Sequence, residues 1–332
     1  MLHLDFASFK FPPSPRVIRV LKIKLNSINE YPNESYVQLK EKLADVYKLN
    51  TQNFLIGNGL DEVIDLITRA FVREREEVII PFPTFSQFEK AAIRANATVI
   101  GINCMHRNYE IKIDEVLNRA SKKTKLIWIC CPNNPTGDLI PKETIRKIAQ
   151  NVNFPVVVDN ALGDFSDDSI IDLIGINNIV ILRTFSKGYC LAGLRIGYAI
   201  ADFEYINKIE SIRQIFNVNN LAAEAAMAAL EDQKYYDKLW AEFKKERQRV
   251  IKNIKEIGIK ITGNQSNFIL LDFGTEIRSR DVYEKLLQDG IKVFPGWDEE
   301  FSGLSARFLR VVIGRKEQNT IFLTSLKKIM KT

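Results

Sequence analysis

The chain has 332 residues, of which 46% are apolar and 27% charged, a balance typical of a globular protein. Its net charge of +6 comes from 47 basic residues interspersed with 41 acidic ones, so no basic block indicates a nucleic-acid partner. No apolar run reaches membrane-spanning length and no export leader is visible, so we expect a cytoplasmic protein without a membrane partner.

Short apolar runs alternate with helical patterns over the first two hundred residues. The predicted strands are Phe54–Gly57, Val78–Ile80, Thr98–Ile102, Leu126–Cys131, Val156–Asp159, Ile179–Leu182 and Ile196–Ala201. Such alternation predicts an α/β fold with a mainly parallel seven-stranded sheet, covered by helices on both faces. In such sheets ligands bind at the carboxyl ends of the strands.

A second, smaller α/β unit is predicted in the last third of the chain. It follows a long amphipathic helix near Tyr235–Ile257. Its predicted strands are Phe268–Asp272, Ile291–Phe294 and Phe308–Ile313, and its helices lie near Arg280–Asp289 and Glu317–Met330.

Histidine and cysteine usage gives no indication of a metal. The two histidines, His3 and His106, are too far apart in the sequence to suggest a shared site. The four cysteines have no metal-binding spacing, and Cys130 and Cys131 fall inside a predicted buried strand. We therefore expect reduced thiols and no metal ligand.

A glycine-rich turn joins the first predicted large-sheet strand to a helical pattern at residues 57–62. Gly57 and Gly59 permit a tight turn, so the backbone N–H groups of Leu60, Asp61 and Glu62 are free at the helix start. Together with the helix dipole they form a cup suited to a phosphate. An ordinary strand-to-helix turn would show the same pattern.

Two more predicted strand ends carry polar side chains. The segment 132–137, Pro-Asn-Asn-Pro-Thr-Gly, presents Asn134 from a turn stiffened by two prolines. Asp159 ends the apolar strand Val156–Asp159, where a carboxylate is costly to bury without a cationic or hydrogen-bonded partner. A protonated pyridine nitrogen is such a partner.

Lys187 follows the apolar run Ile179–Leu182 and is the most informative residue of the chain. Two hydroxyl side chains, Thr184 and Ser186, precede it, and Arg195 follows eight residues later. A strand-end amine beside anion-binding groups suits covalent attachment of an aldehyde cofactor that carries a phosphate. This pattern predicts pyridoxal 5'-phosphate.

Together these segments resemble the fold-type I pyridoxal-phosphate enzymes, and within them the histidinol-phosphate aminotransferase group and its relative, threonine-phosphate decarboxylase. The resemblance extends along nearly the whole chain and includes residues 29–32, 83–85, 266–268 and 308–314 in the family's order. It implies an aminotransferase that uses a 2-oxo acid acceptor, 2-oxoglutarate, and that works as a homodimer.

The resemblance also implies a role for each matching residue. Lys187 would hold the cofactor, Asp159 would pair with its ring nitrogen, Asn134 would meet its ring hydroxyl and Phe85 would stack on the ring. The phosphate would be held by Thr184, Ser186, Arg195, the backbone from Leu60 to Glu62, and Tyr31 of the neighbouring subunit. Arg310 would bind the substrate carboxylate through two parallel hydrogen bonds.

Two departures from the family pattern bear on the substrate and the cofactor. Leu162 stands where relatives have a tyrosine that bonds the ring oxygen, so we expect the cofactor to titrate differently here. Phe294 stands where phosphate-specific relatives tend to have an arginine for the substrate phosphate. Lys292 would share a strand face with Phe294 and offers a substitute charge, although the pattern favours a solvated lysine.

These departures leave the amino donor open. Phe294 and Trp297 would line an aromatic pocket or form a partly buried surface cluster. We therefore predict a histidinol-phosphate aminotransferase, with a broad aromatic or aspartate-type aminotransferase and a threonine-phosphate decarboxylase as alternatives. The predicted organisation is an N-terminal arm (1–30) packed with the small domain, a large cofactor-binding domain (31–245) and a small C-terminal domain (246–332).

Overall fold

The structure is a computed structural model, and it describes residues 1–105, 109–176, 178–298, 301 and 303–331. His106 lies outside the described residues. Within the described part of the chain, no helix is both long enough and apolar enough to cross a bilayer.

Strands and helices alternate as the sequence predicts. The strands are β1 (Leu2–His3), β2 (Phe54–Gly57), β3 (Glu77–Phe82), β4 (Thr98–Asn103), β5 (Thr124–Cys130), β6 (Val156–Asp159), β7 (Ile179–Thr184), β8 (Gly197–Ile200), β9 (Lys260–Ile261), β10 (Phe268–Asp272), β11 (Ile291–Lys292), β12 (Phe294–Pro295) and β13 (Phe308–Val312). The helices are α1 (Pro15–Lys24), α2 (Val37–Tyr47), α3 (Gly59–Phe71), α4 (Gln87–Arg94), α5 (Ile113–Arg119), α6 (Lys142–Asn151), α7 (Phe203–Glu210), α8 (Asn220–Leu230), α9 (Gln233–Glu256), α10 (Glu276–Gln288) and α11 (Lys316–Ile329).

Seven strands form the large sheet in the order β2-β8-β7-β6-β5-β3-β4. Strand β8 runs antiparallel to both of its neighbours, and the other pairings are parallel. The mixed sheet therefore matches the predicted, mainly parallel one.

Side-chain alternation along β5 shows why the sheet is covered on both faces. Leu126 and Trp128 face the layer that contains α3 and α4, where Trp128 stacks on Phe88 with ring centroids 4.8 Å apart. Ile127 and Ile129 point the other way, into the layer that contains α6. Both layers are fully apolar at the sheet, so the strand is buried from both sides.

The smaller unit contains a four-stranded antiparallel sheet, β12-β13-β10-β9, and the short parallel pair β1-β11. The single strand predicted for Ile291–Phe294 is wrong, because the chain changes partner at Val293. Residues before it pair with β1, and residues after it pair with β13. As a result Lys292 forms an ion pair with Asp5 of the N-terminal segment, at 3.4 Å.

Candidate active site

The carboxyl ends of β5, β6 and β7 meet at one edge of the large sheet. The register pairs Asp159 with Cys130 on one side and with Leu182 on the other. Three loops therefore leave the sheet side by side, and they carry Asn134, the segment after Asp159, and Lys187. This is where the parallel arrangement predicts a ligand.

A cavity of about 300 Å³ opens at this edge. Its wall includes ten of the residues predicted from sequence: Leu60, Asp61, Phe85, Asn134, Asp159, Thr184, Ser186, Lys187, Arg195 and Arg310. The structure thus brings together groups that are spread over 250 positions of the chain.

Three predicted site residues do not line this cavity. The Glu62 carboxylate turns back to accept hydrogen bonds from the Asn58 N–H (2.5 Å) and from Asn217 Nδ2 (2.6 Å). Tyr31 is 82% exposed and stacks on Phe216 with ring centroids 4.9 Å apart. The third, Phe294, is buried behind Arg310.

Lys187 and Asp159 both line the cavity, and each has a backbone group as its hydrogen-bond partner. Lys187 Nζ donates a hydrogen bond to the Ala7 carbonyl oxygen at 2.9 Å, an acceptor that it shares with Asn267 Nδ2. Asp159 is only 4% exposed, and its Oδ1 accepts from the Ala161 N–H at 2.9 Å. Burial raises the pKa of Asp159 to about 6, although the Ala161 N–H and the Lys187 charge oppose the rise.

The N-terminus of α3, where the sequence predicts a cup for a phosphate, reaches the same cavity through Leu60 and Asp61. Gly59 adopts a φ of +76°, and a methyl group there would lie 2.5 Å from Arg195 Nη2. The backbone of Arg195 also adopts the left-handed conformation, with a φ of +55°. Its Nη2 donates to Asp61 Oδ2 at 3.1 Å. A guanidinium and a helix N-terminus therefore converge, which is an arrangement suited to a phosphate.

Arg310 lines the same cavity and is 1% exposed. Its Nη1 donates to Asn134 Oδ1 and its Nη2 to the Asp5 carbonyl oxygen, both at 2.8 Å. The guanidinium carbon lies 4.5 Å from the ring centroid of Phe301 and 4.8 Å from that of Phe294. These contacts fix the plane of the guanidinium. Phe294 therefore supports Arg310 from behind and does not line the cavity, as the sequence had predicted it would.

Trp297 lies outside the cavity wall as well. Its ring packs edge-on against Tyr283, with centroids 5.3 Å apart, and the Arg280 guanidinium covers its face. The sequence left two interpretations of Trp297 open, an aromatic pocket wall and a partly buried surface cluster. These contacts match the surface cluster.

The N-terminal segment closes the cavity in a way that residue types did not reveal. Phe6, Ala7 and Ser8 line the wall, and backbone carbonyls of this segment bond both Lys187 and Arg310. Carbonyl acceptors belong to every residue type, so no sequence signal marks them. Phe268 also lines the wall. The sequence feature that could have identified it is its position in the family-like segment 266–268.

The residues present fit pyridoxal 5'-phosphate. The cavity offers an amine for its aldehyde, a buried carboxylate for its ring nitrogen, and the α3 N-terminus with Arg195 for its phosphate. The pKa of Asp159, which burial raises to about 6, supports this fit, because groups with shifted pKa values that line a cleft cluster at functional sites. The site is that of a pyridoxal-phosphate enzyme.

Comparison with known proteins identifies the family. The model of the aminotransferase class I and II family matches residues 2–326, and the chain belongs to this family. It is therefore a pyridoxal-phosphate-dependent aminotransferase, as the sequence predicted.

Relatives and solved structures agree with this assignment. The chain is 32% identical over 331 residues to histidinol-phosphate aminotransferase 2 of Archaeoglobus fulgidus, covering 99% of this chain and 93% of that protein. The histidinol-phosphate aminotransferase of Clostridium acetobutylicum superposes with a TM-score of 0.91 at 25% identity, covering 100% and 99% of the two chains. That of Sinorhizobium meliloti, solved in complex with pyridoxal-5'-phosphate, gives a TM-score of 0.91 at 23% identity, covering 99% and 90%. The predicted fold type is confirmed.

Proposed function

We propose that this aminotransferase transfers the amino group of histidinol phosphate to 2-oxoglutarate. The observation that carries the proposal is the single cavity in which Lys187, Asp159 and the buried guanidinium of Arg310 face one another. Curated relatives of this activity match nearly the whole chain at 30–32% identity, which supports the choice of donor.

The proposed roles of the chain's own groups follow from their positions. The bound cofactor supplies an electron sink next to the donor's amine-bearing carbon. Asp159 would pair with the ring nitrogen in its ionised form and would keep that nitrogen protonated. Lys187 Nζ would hold the cofactor through its aldehyde and, once the donor amine has freed it, would act as the base that takes the proton from the donor carbon.

Arg310 and Asn134 orient the acceptor in this proposal. A planar guanidinium held by Asn134 Oδ1 presents its N–H groups to a carboxylate in a fixed geometry. Asn134 Nδ2 would donate to the cofactor's ring oxygen. Closure by the N-terminal segment excludes water from the reacting carbon.

A broader amino-acid aminotransferase is the second candidate, and one observation favours it. Phe294 is 7% exposed and packs on Arg310 and on Phe301, at 4.8 Å from each, so this position provides no charge for a substrate phosphate. Among the described residues, the cations on the cavity wall are Lys187, Arg195 and Arg310. All three already have proposed partners other than a donor phosphate.

One experiment separates these candidates. The visible absorbance of the purified holoenzyme is followed after separate additions of histidinol phosphate, aromatic amino acids, aspartate, glutamate and threonine phosphate. We expect histidinol phosphate to convert the cofactor fastest, and faster conversion by an amino acid would select the broader enzyme. Release of carbon dioxide from threonine phosphate without an acceptor would select the decarboxylase.

We also propose a homodimer in which Tyr31 reaches the neighbouring cofactor phosphate. Exposed apolar side chains support it: Ile23, Ile28, Tyr31 and Ile215 are each at least 64% exposed. Apolar surface of this kind, where it gathers into a patch, marks protein interfaces. Sedimentation of Ile28→Asp is expected to show a monomer with weaker cofactor binding, and an unchanged dimer would contradict the interface.

The domain limits stay a proposal. Pairing of β1 with β11 joins the first residues of the arm (1–30) to the small unit (246–332), while α1 packs on α8 of the large unit (31–245).

The cytoplasmic location also stays a prediction, in keeping with the buried thiols of Cys130 and Cys131.

A further inference from the structure

A buried ion pair lies directly behind the site, and the proposed mechanism does not use it. The Arg183 guanidinium donates to Asp164 Oδ1, and the two side chains are 13% and 2% exposed. Neither residue lines the cavity. Buried charged pairs contribute little to stability compared with apolar residues of the same volume, so their place in the structure calls for another explanation.

Arg183 connects this pair to the turn that follows Asp159. Its Nη1 donates to the Asn160 carbonyl oxygen at 3.1 Å and to Asn160 Oδ1 at 2.8 Å. Asn160 Nδ2 in turn donates to the Cys131 carbonyl oxygen at 2.6 Å, at the end of β5. The guanidinium therefore ties together the ends of β5, β6 and β7.

Asp164 connects the same pair to the residue after Lys187. A methyl group built on Gly188 would lie 2.3 Å from Asp164 Oδ2 and 2.6 Å from its Cβ, so the carboxylate touches the Gly188 backbone. Burial raises the pKa of Asp164, and the charge of Arg183 and, to a smaller extent, the Gly188 N–H oppose the rise. The contact is thus close and electrostatic.

Trp240 of α9 holds the other side of the same peptide. Its Nε1 donates to the Gly188 carbonyl oxygen at 3.0 Å. Gly163 shows a second close approach, because a methyl group there would lie 2.2 Å from Arg183 Nη1. Two glycines without room for a side chain flank the ion pair, which indicates a packing arrangement that depends on close backbone contact.

We propose that Asp164, Arg183 and Trp240 are positioning residues that clamp the Lys187–Gly188 backbone and so aim Lys187 Nζ at the cofactor and the donor carbon. The inference rests on the proposed role of Lys187. A lysine stem is flexible, so its amine is placed only as well as its backbone and its far-end contact allow. The Ala7 carbonyl oxygen holds the amine end of the side chain, and the clamp holds the backbone from which the side chain extends.

Two holoenzyme variants test the clamp. Trp240→Phe keeps the ring and removes the donor to Gly188, and Asp164→Glu keeps the charge but displaces the carboxylate. Because a misplacement of about 1 Å costs up to about 100-fold in rate, we expect kcat to fall by about 10-fold or more in each. The KM for 2-oxoglutarate should stay unchanged, and the pH midpoint of the visible absorbance should shift.

Matched controls exclude a general loss of structure. Trp297→Phe makes the same change at a tryptophan outside the cavity, and Glu246→Gln breaks an ion pair with Arg249 far from the site. Both controls should keep the wild-type kcat and pH midpoint. Should Asp164→Glu fail to fold, Trp240→Phe decides the question alone, since phenylalanine preserves most of the aromatic packing.

The outcomes distinguish the clamp from the proposed function. Borohydride reduction of the wild-type holoenzyme, followed by peptide mapping, shows first whether the cofactor is attached at Lys187. If it is not, the proposed function fails. If it is, and both variants keep the wild-type kcat and pH midpoint or merely match the controls, the clamp is overturned.

Discussion

Replacing Arg310 with alanine gives the sharpest test of how the substrate is held. The guanidinium is 1% exposed and bonded at 2.8 Å to both Asn134 Oδ1 and the Asp5 carbonyl oxygen, so a carboxylate that meets it is desolvated. Truncating one member of such a pair costs about 2–5 kcal/mol. At about 1.4 kcal/mol per factor of ten, the KM for 2-oxoglutarate should rise between about 30-fold and about 4,000-fold.

The two half-reactions make the Arg310→Ala test more specific. Histidinol phosphate carries a phosphorylated hydroxymethyl group where an amino acid carries its carboxylate, so it offers no carboxylate to Arg310, and we expect its half-reaction to slow less than the half-reaction with 2-oxoglutarate. The half-reaction with 2-oxoglutarate should slow by the full factor. Single-turnover absorbance measurements with each substrate separate the two steps, and equal slowing of both would show that Arg310 also binds the phosphate of histidinol phosphate.

Two further variants accompany Arg310→Ala. Arg310→Lys keeps the charge but not the planar fork, so we expect an intermediate KM. Arg307→Ala removes an arginine three residues earlier that pairs with Asp272 at 3.2 Å and lies outside the cavity wall, so it should leave KM unchanged. A folded Arg310→Ala enzyme with the wild-type KM would show that another group binds the acid.

Three other measurements probe the cofactor site. Lys187→Ala should abolish turnover and the borohydride-trapped adduct, and an adduct that persists would place the attachment at another lysine. Because burial raises the pKa of Asp159 from 3.8 to about 6, the cofactor-free protein should lose up to about 3 kcal/mol of stability as pH rises through 6, with full stability retained below pH 4. Urea unfolding between pH 4 and 8 should show this slope reduced in Asp159→Asn, and an equal slope in both proteins would refute it. Leu162→Tyr should lower the pH midpoint of the visible absorbance by stabilising the ring phenolate, and an unchanged titration would mean that Leu162 is not responsible for any difference from relatives.

Elements with a strong local pattern were predictable from sequence. The strand Val156–Asp159 has the limits predicted for it, because a continuous β-branched run between a proline and a carboxylate has only one fit to a buried parallel strand. The segment Ile291–Phe294 looked equally continuous, but it divides between two partners at Val293. Partner choice depends on which strands lie nearby in space, which a local pattern does not encode.

Site residues divide in the same way. Lys187, Asp159, Asn134 and Arg310 were predicted because their side-chain chemistry is specific and each follows or belongs to a predicted strand. The Ala7 carbonyl, which accepts from Lys187, carries no such signal. Backbone acceptors are recognised only when the chain's path is known.

The sequence alone predicted the family, the cofactor and the positions of most strands along the chain, because family-like motifs, hydrophobic periodicity and reactive side chains at strand ends are local properties. Tertiary structure decided which neighbours those groups have. It placed Phe294 behind Arg310, closed the cavity with the N-terminal segment, and set the Asp164–Arg183 pair against Gly188. Such contacts join residues far apart in the chain, so they depend on packing that no single segment specifies.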